Sequence, residues 1–156
     1  MKKKLMLCSL VLVGLFTLVG CGGKDRTYKE IFDQYVKAYT TADVELAKDL
    51  FPPFYVEYAK SILTQEHLDN SLKNAKDLYG DDFTIVYEIS KDTKLTDDEL
   101  KTVNEKYKST FNTDEEASEC YKFEGTMTFK GEKRSDADSI ANWGYCKYNK
   151  WYLVNY

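Results

Sequence analysis

Histidine occurs once in this chain, at position 67, and only four cysteines accompany it. A zinc site needs several imidazole or thiolate ligands at short spacings, so no metal centre is expected. No serine or cysteine nucleophile is spaced to pair with His67, which is read as a solvated or lightly buried side chain near a helix start. Basic residues are also short, 22 against 26 acidic, for a net charge of −4. Without clustered Lys and Arg the chain is not a nucleic-acid binder, because phosphate neutralisation supplies most of that affinity. The same balance disfavours lying flat on an anionic bilayer. The acidic runs Asp81-Asp82, Asp97-Asp98-Glu99 and Asp114-Glu115-Glu116 lack the calcium-loop spacing with its central glycine. They sit at element ends, as caps and dipole partners. Asp136 and Asp138 are read as a solvated hairpin end. No nucleotide motif, cofactor motif, internal repeat or low-complexity linker is present. Proline is nearly absent, and both copies stand together at Pro52-Pro53.

No apolar run reaches the roughly 20 residues a spanning helix needs. What is there is shorter: Lys2-Lys3-Lys4 followed by about 15 uncharged residues, Leu5 to Val19. A basic start and a short apolar run describe a cleaved signal segment. The run closes on Leu18-Val19-Gly20-Cys21, which resembles the lipobox of bacterial lipoproteins. That resemblance implies a diacylglycerol on the Cys21 sulfur, cleavage before Cys21, and a protein held on the outer face of the cell membrane by its acyl chains. An ordinary secretory signal with a chance cysteine is the alternative. Two chains give stable anchoring where one is marginal. Residues 1–20 then form the signal peptide, and Cys8 leaves with it. Residues 21–25 form the lipidated cysteine and tether, and 26–156 a single domain. The mature chain has 19 basic and 26 acidic residues, a charge of −7. Gly22 to Asp25 reach roughly 13 Å at most, placing the domain close to the bilayer.

Periodicity supplies the elements. Tyr28, Ile31, Phe32, Tyr35, Val36 and Tyr39 form one helical stripe. A second helix starts at the N-cap Asp43 and stops or kinks at Pro52-Pro53. The chain resumes from Phe54 to Leu63, and a third helix runs from about Thr64 to Gly80 with Leu68, Leu72, Ala75 and Tyr79 on one face. The period then becomes two over Phe83 to Ser90, a strand. Thr96-Asp97-Asp98-Glu99 is a capping box stapled by Leu95 and Leu100, opening a helix through Val103, Tyr107 and Phe111. The last third is strand material: 120–129, a turn over 131–135, a returning strand holding Ala141, Trp143 and Tyr145, and a turn at Asn149-Lys150 into Trp151–Tyr156.

Helices followed by an antiparallel sheet give an α+β fold, with the helices expected on one face of a curved sheet. The N-terminal helices with a proline break, the strand at 83–90, the long hairpin and the closing Lys150-Trp151-Tyr152-Leu153-Val154 together resemble the cone-like nuclear-transport-factor-2-like and cystatin-like domains. They resemble especially the small Gram-positive lipoproteins that carry one. The capped helix at 96–111 departs from the plainest version of that fold. The resemblance implies an interior able to hold a ligand. In the enzymes of the group that interior carries an acidic residue and a tyrosine, and here no apolar-flanked Asp or Glu suggests itself.

Folding the hairpin about Lys133 opposes Cys120 to Cys146, Tyr121 to Tyr145 and Phe123 to Trp143. Outside the cytoplasm a disulfide between Cys120 and Cys146 is expected, with two free thiols as the alternative. The turn at Asn149-Lys150 is expected to set Tyr156 against Trp143 and Val154 against Tyr145. Tyr35, Tyr39, Trp143 and Tyr145 are the candidate pocket or core residues, and no catalytic residue is nominated. The expected function is a non-enzymatic, membrane-anchored binding or interaction module of the cell envelope, its partner a small molecule or an exported protein. A pocket enzyme of isomerase, dehydratase or hydrolase type is the alternative, as is an immunity or inhibitor lipoprotein.

Overall fold

The computed structural model describes residues 27–156, with elements α1 (Tyr28–Thr41), α2 (Val44–Lys48), α3 (Pro53–Tyr58), α4 (Gln65–Tyr79), β1 (Thr84–Lys94), α5 (Asp97–Phe111), β2 (Glu119–Lys130), β3 (Ser135–Ser139), β4 (Trp143–Lys147) and β5 (Trp151–Asn155). The signal segment, Cys21 and the tether lie outside the described residues. Thr27, Asp43, Thr64 and Thr96 each accept a backbone N–H three residues on and so start α1, α2, α4 and α5. Those N–H groups have no intrahelical partner, which is why short oxygen-bearing side chains recur there. Thr27-Glu30 and Thr96-Glu99 close reciprocal capping boxes. Pro53 opens α3 instead, where its missing N–H costs nothing.

The sheet is antiparallel, in the order β1-β2-β4-β5, with β3 also pairing β2. Strand β2 is its spine, because the returning strand comes back in two pieces along it. Strand β3 pairs 126–130, and β4 pairs Glu119 to Lys122. Ala141, expected on that returning strand, instead lies in the turn between β3 and β4, where Trp143 N–H donates to the Ile140 carbonyl. The break shifts the register by one residue. Cys120 still opposes Cys146 and Tyr121 opposes Tyr145, but the ladder ends at Lys122–Gly144 and no Phe123–Trp143 pair forms.

A second difference lies in the last hairpin. The turn takes three residues, Tyr148 to Lys150, closed by a bond from Tyr148 N–H to the Lys150 carbonyl, so Lys147 faces Trp151 and Tyr145 faces Leu153. Val154 opposes Gly144, not Tyr145, and Tyr156 N–H pairs with the Asn142 carbonyl rather than standing opposite Trp143. A slip of one residue turns every side chain over. Leu153 therefore joins the Tyr145 face, while Val154 and Tyr156 join the other.

That inversion matters because both faces are covered. On one, α1, α2 and α4 pack Ile31, Phe32, Ala47 and Ala75, with Leu50 from the turn after α2, against Ile85, Phe123, Met127, Tyr145, Trp151 and Leu153. On the other, Leu95 and Tyr107 pack against Cys120, Cys146 and Val154, with Leu100, Val103 and Phe111 of α5 joining them. The helices are thus not confined to one side. The physical reason is in β5, where Trp151, Tyr152, Leu153 and Val154 are all buried. A strand apolar on both faces needs cover on both.

Candidate functional site

The α5 side of the sheet ends in a cleft at the outer edge of β5. Pro52-Pro53 turns the chain out of α2 and aims α3 across toward α5. Phe54 and Tyr58 then meet Phe111 at centroid distances of 5.5 and 5.1 Å, and Tyr107 meets Phe111 at 5.3 Å. Between Phe54, Tyr107, Phe111 and the β5 residues Leu153 to Asn155 lies a space of about 380 Å³. Trp143 and Tyr156 complete its apolar wall, and Lys106 and Thr110 stand among the lining residues. The volume lies within the roughly 300–1,000 Å³ of typical ligand sites.

Two of the three phenols of the cleft are engaged by the fold. Tyr107 donates its hydroxyl to the Asn155 carbonyl at 2.9 Å, and Tyr156 donates to the Tyr121 carbonyl at 2.9 Å. Burial pushes both phenols up from their ordinary pKa, so they remain protonated donors across the neutral range. Tyr156 fits over the sheet because position 144 is glycine: a Cβ there would collide with the Tyr121 carbonyl oxygen and the Tyr156 ring. The walls can therefore enclose an apolar body, and Lys106 offers a cation.

The candidate pocket residues separate. Trp143 lines this cleft and touches Tyr35 edge-on at 5.5 Å. Tyr35 and Tyr39 line a different pocket, of about 200 Å³, between α1, α2 and α4, and His67 also lines it. Tyr145 lines neither; it is core, 8 % exposed, stacked on Tyr121 at 4.9 Å and on Phe123 at 5.2 Å. Phe51 belongs to both spaces and partitions them. The aromatic wall of the cleft, Phe54, Tyr55 and Phe111, was not singled out from the sequence as a site. Its signal was the segment 54–63, rich in apolar residues yet without a helical stripe.

Cys120 and Cys146 are disulfide-bonded with Cα atoms 4.1 Å apart. Leu153 N–H points away from β4, toward the Leu50 carbonyl, so Tyr145–Leu153 is a non-hydrogen-bonded pair and Cys146–Tyr152 a hydrogen-bonded one. Cys146 thus spends its main chain on β5, which makes Cys120–Cys146 a non-hydrogen-bonded pair of β2 and β4, where opposed residues approach most closely. Asp136 is engaged by Arg134 and by the Tyr79 hydroxyl, and Arg134 foremost holds its carboxyl below the usual range. Among the described residues no group of three or more His, Cys, Asp or Glu is placed to hold a metal, and no helix is long and apolar enough to cross a membrane. No family model, curated protein or solved structure matches the chain.

Proposed function

We propose that this protein is a non-enzymatic binding module of the cell envelope, tethered to the outer face of the membrane through acyl chains on Cys21, and that the cleft between α3, α5 and β5 is its ligand face. The observation that carries the binding reading is the cleft itself, an aromatic-walled space at a sheet edge. Its lining has neither carboxylate nor imidazole, and two of its phenols are committed to main-chain carbonyls. That favours holding a ligand over moving a proton. The tether rests on Lys2-Lys3-Lys4, the apolar run and Leu18-Val19-Gly20-Cys21. The fold is read as a relative of the nuclear-transport-factor-2-like or cystatin-like design, with α5 added behind the sheet.

Two measurements test this. Cells fed a radioactive fatty acid should label the wild-type protein and not Cys21→Ala, and equal label on both removes the tether. Affinity capture from envelope extracts should recover a partner or small molecule with wild type that Phe111→Asp loses. Retention by that variant removes the cleft. Capture of a toxin protein would turn the reading to immunity.

A further inference from the structure

The disulfide lies beneath one continuous stretch of chain. Cys120 and Cys146 are 1 % and 0 % exposed, and the buried residues clustered with them are Leu95, Tyr107, Ala117 and Val154. Three of those four belong to α5 or its flanks. Leu95 stands just before the helix cap, Tyr107 on the helix, and Ala117 just before β2. We propose that α5 is a hinged cover, and that its undocking, with the rest of the domain folded, is the step that opens the Cys120–Cys146 disulfide to exchange with an external dithiol. The same motion opens the cleft, since Tyr107 and Phe111 form part of its wall. The gating of the disulfide does not rest on the cleft reading.

The hinges are tied down and the cover is light. Leu95 N–H donates to the Cys120 carbonyl and Ser118 N–H to the Lys147 carbonyl, so the chain is held to the sheet on both sides of α5. Between those ties, Tyr107 is the one buried residue among the 15 of the helix. Asn104 donates to the Ala117 carbonyl at 3.0 Å and accepts from the Ala117 N–H at 2.9 Å, and Tyr107 donates to the Asn155 carbonyl. Lys122 reaches Glu99, an exposed ion pair that adds little. Phe54 and Tyr58 of α3 lean on Phe111. The other side of the sheet is held differently, with Ile31 and Phe32 of α1 fully buried. A unit with few buried apolar side chains opens at a lower free energy than the whole domain. Exchange needs a thiolate to reach one sulfur of the bond, and with α5 down neither cysteine offers a surface to attack. Once α5 lifts, one thiolate of the dithiol attacks one cysteine sulfur and the other cysteine leaves as its thiolate. The second thiolate of the reagent then displaces the protein from the mixed disulfide. The reagent is oxidised to its own disulfide, and the two cysteines end as thiols carrying the two protons that the reagent gave up.

The test treats the full chain with dithiothreitol in native buffer, quenches with iodoacetamide, and reads alkylation of the Cys120 and Cys146 tryptic peptides by mass spectrometry. Cys8 and Cys21 fall on other peptides. Wild type should be reduced far more slowly than oxidised glutathione under the same conditions. Asn104→Ala, which removes both links to Ala117, should speed reduction about tenfold, and Tyr107→Phe, which keeps the ring and removes the link to Asn155, about fivefold. Ile31→Val thins the opposite core and lowers the stability of the whole domain by a comparable amount, read as its urea midpoint, and should leave the reduction rate unchanged. If Ile31→Val speeds reduction as much as Asn104→Ala, the bond opens only when the whole domain unfolds, and α5 is not a separate cover. Wild-type rates in both α5 variants overturn the proposal as well. So does a wild-type disulfide reduced as fast as oxidised glutathione, because nothing then covers it.

Discussion

Truncating Phe123 should cost more than truncating the larger Trp143, and the difference measures which side chain is core and which is cleft wall. Phe123 is 1 % exposed, and its ring meets Phe32 at 5.2 Å and Tyr145 at 5.2 Å. A buried Phe removes roughly 200 Å² from water, which at about 25 cal/mol/Å² sets an upper figure near 5 kcal/mol. Measured Phe→Ala losses of about 3–5 kcal/mol agree. Trp143 is only half-buried and lines open space, so its loss should be about 2 kcal/mol. The disulfide falls between them. It links residues 26 apart, and the chain-entropy model values that loop at about 3.5 kcal/mol. Urea unfolding followed by far-UV circular dichroism would compare Phe123→Ala, Trp143→Ala and Cys120→Ala with Cys146→Ala against wild type. With a slope of about 2 kcal/mol/M, the midpoints should drop by about 2, 1 and 1.7 M in that order. If Trp143→Ala falls as far as Phe123→Ala, Trp143 is structural and the cleft loses a wall.

Three further perturbations probe the α5 face of the sheet. Thr96→Ala should cost about 1 kcal/mol by opening the α5 cap, read as a lower urea midpoint. The Glu99 carboxyl is held below its usual range by the Thr96 backbone N–H and then by Lys122. Its contribution is complete above the ordinary carboxylate range and is lost as pH falls through the lowered value, so unfolding midpoints at pH 7 and pH 3 should differ less in Glu99→Gln than in wild type. Gly144→Ala should displace Tyr156 from the sheet, because its Cβ meets the Tyr121 carbonyl and the Tyr156 ring; a Tyr156 hydroxyl still bonded to the Tyr121 carbonyl in a crystal structure of that variant would refute the close-approach argument.

What was legible in the sequence was local. Each capped helix start needs one oxygen-bearing residue and a neighbour three positions on, so Asp43, Thr64 and Thr96 announce themselves without tertiary help. The Cys120–Cys146 register was legible too, since aromatic pairing and the cysteine pair select one parity. The break at Ala141-Asn142 leaves that parity intact near the cysteines and shifts only the far end. The last hairpin was not legible in the same way. Asn149-Lys150 looks like a two-residue turn, but Tyr148 leaves the ladder as well, and one extra residue reverses the face of Leu153, Val154 and Tyr156.

The two-sided cover had a signal that alternation obscured. Trp151-Tyr152-Leu153-Val154 is an unbroken apolar run, and such a run describes a strand buried on both faces. Taken with the capped, amphipathic α5 standing between strands, it calls for a helix behind the sheet. The sites themselves had no comparable signal. The cleft joins Phe54, Phe111 and Asn155, and the smaller pocket joins Tyr35, Phe51 and His67. No spacing in the chain relates such residues, because each belongs to a different element. Tyr35 and Tyr39 could be nominated for a pocket because they share one helix face. That Leu68 and Ser71 of α4 and Ala47 of α2 join them in one lining is a property of packing that no single segment carries.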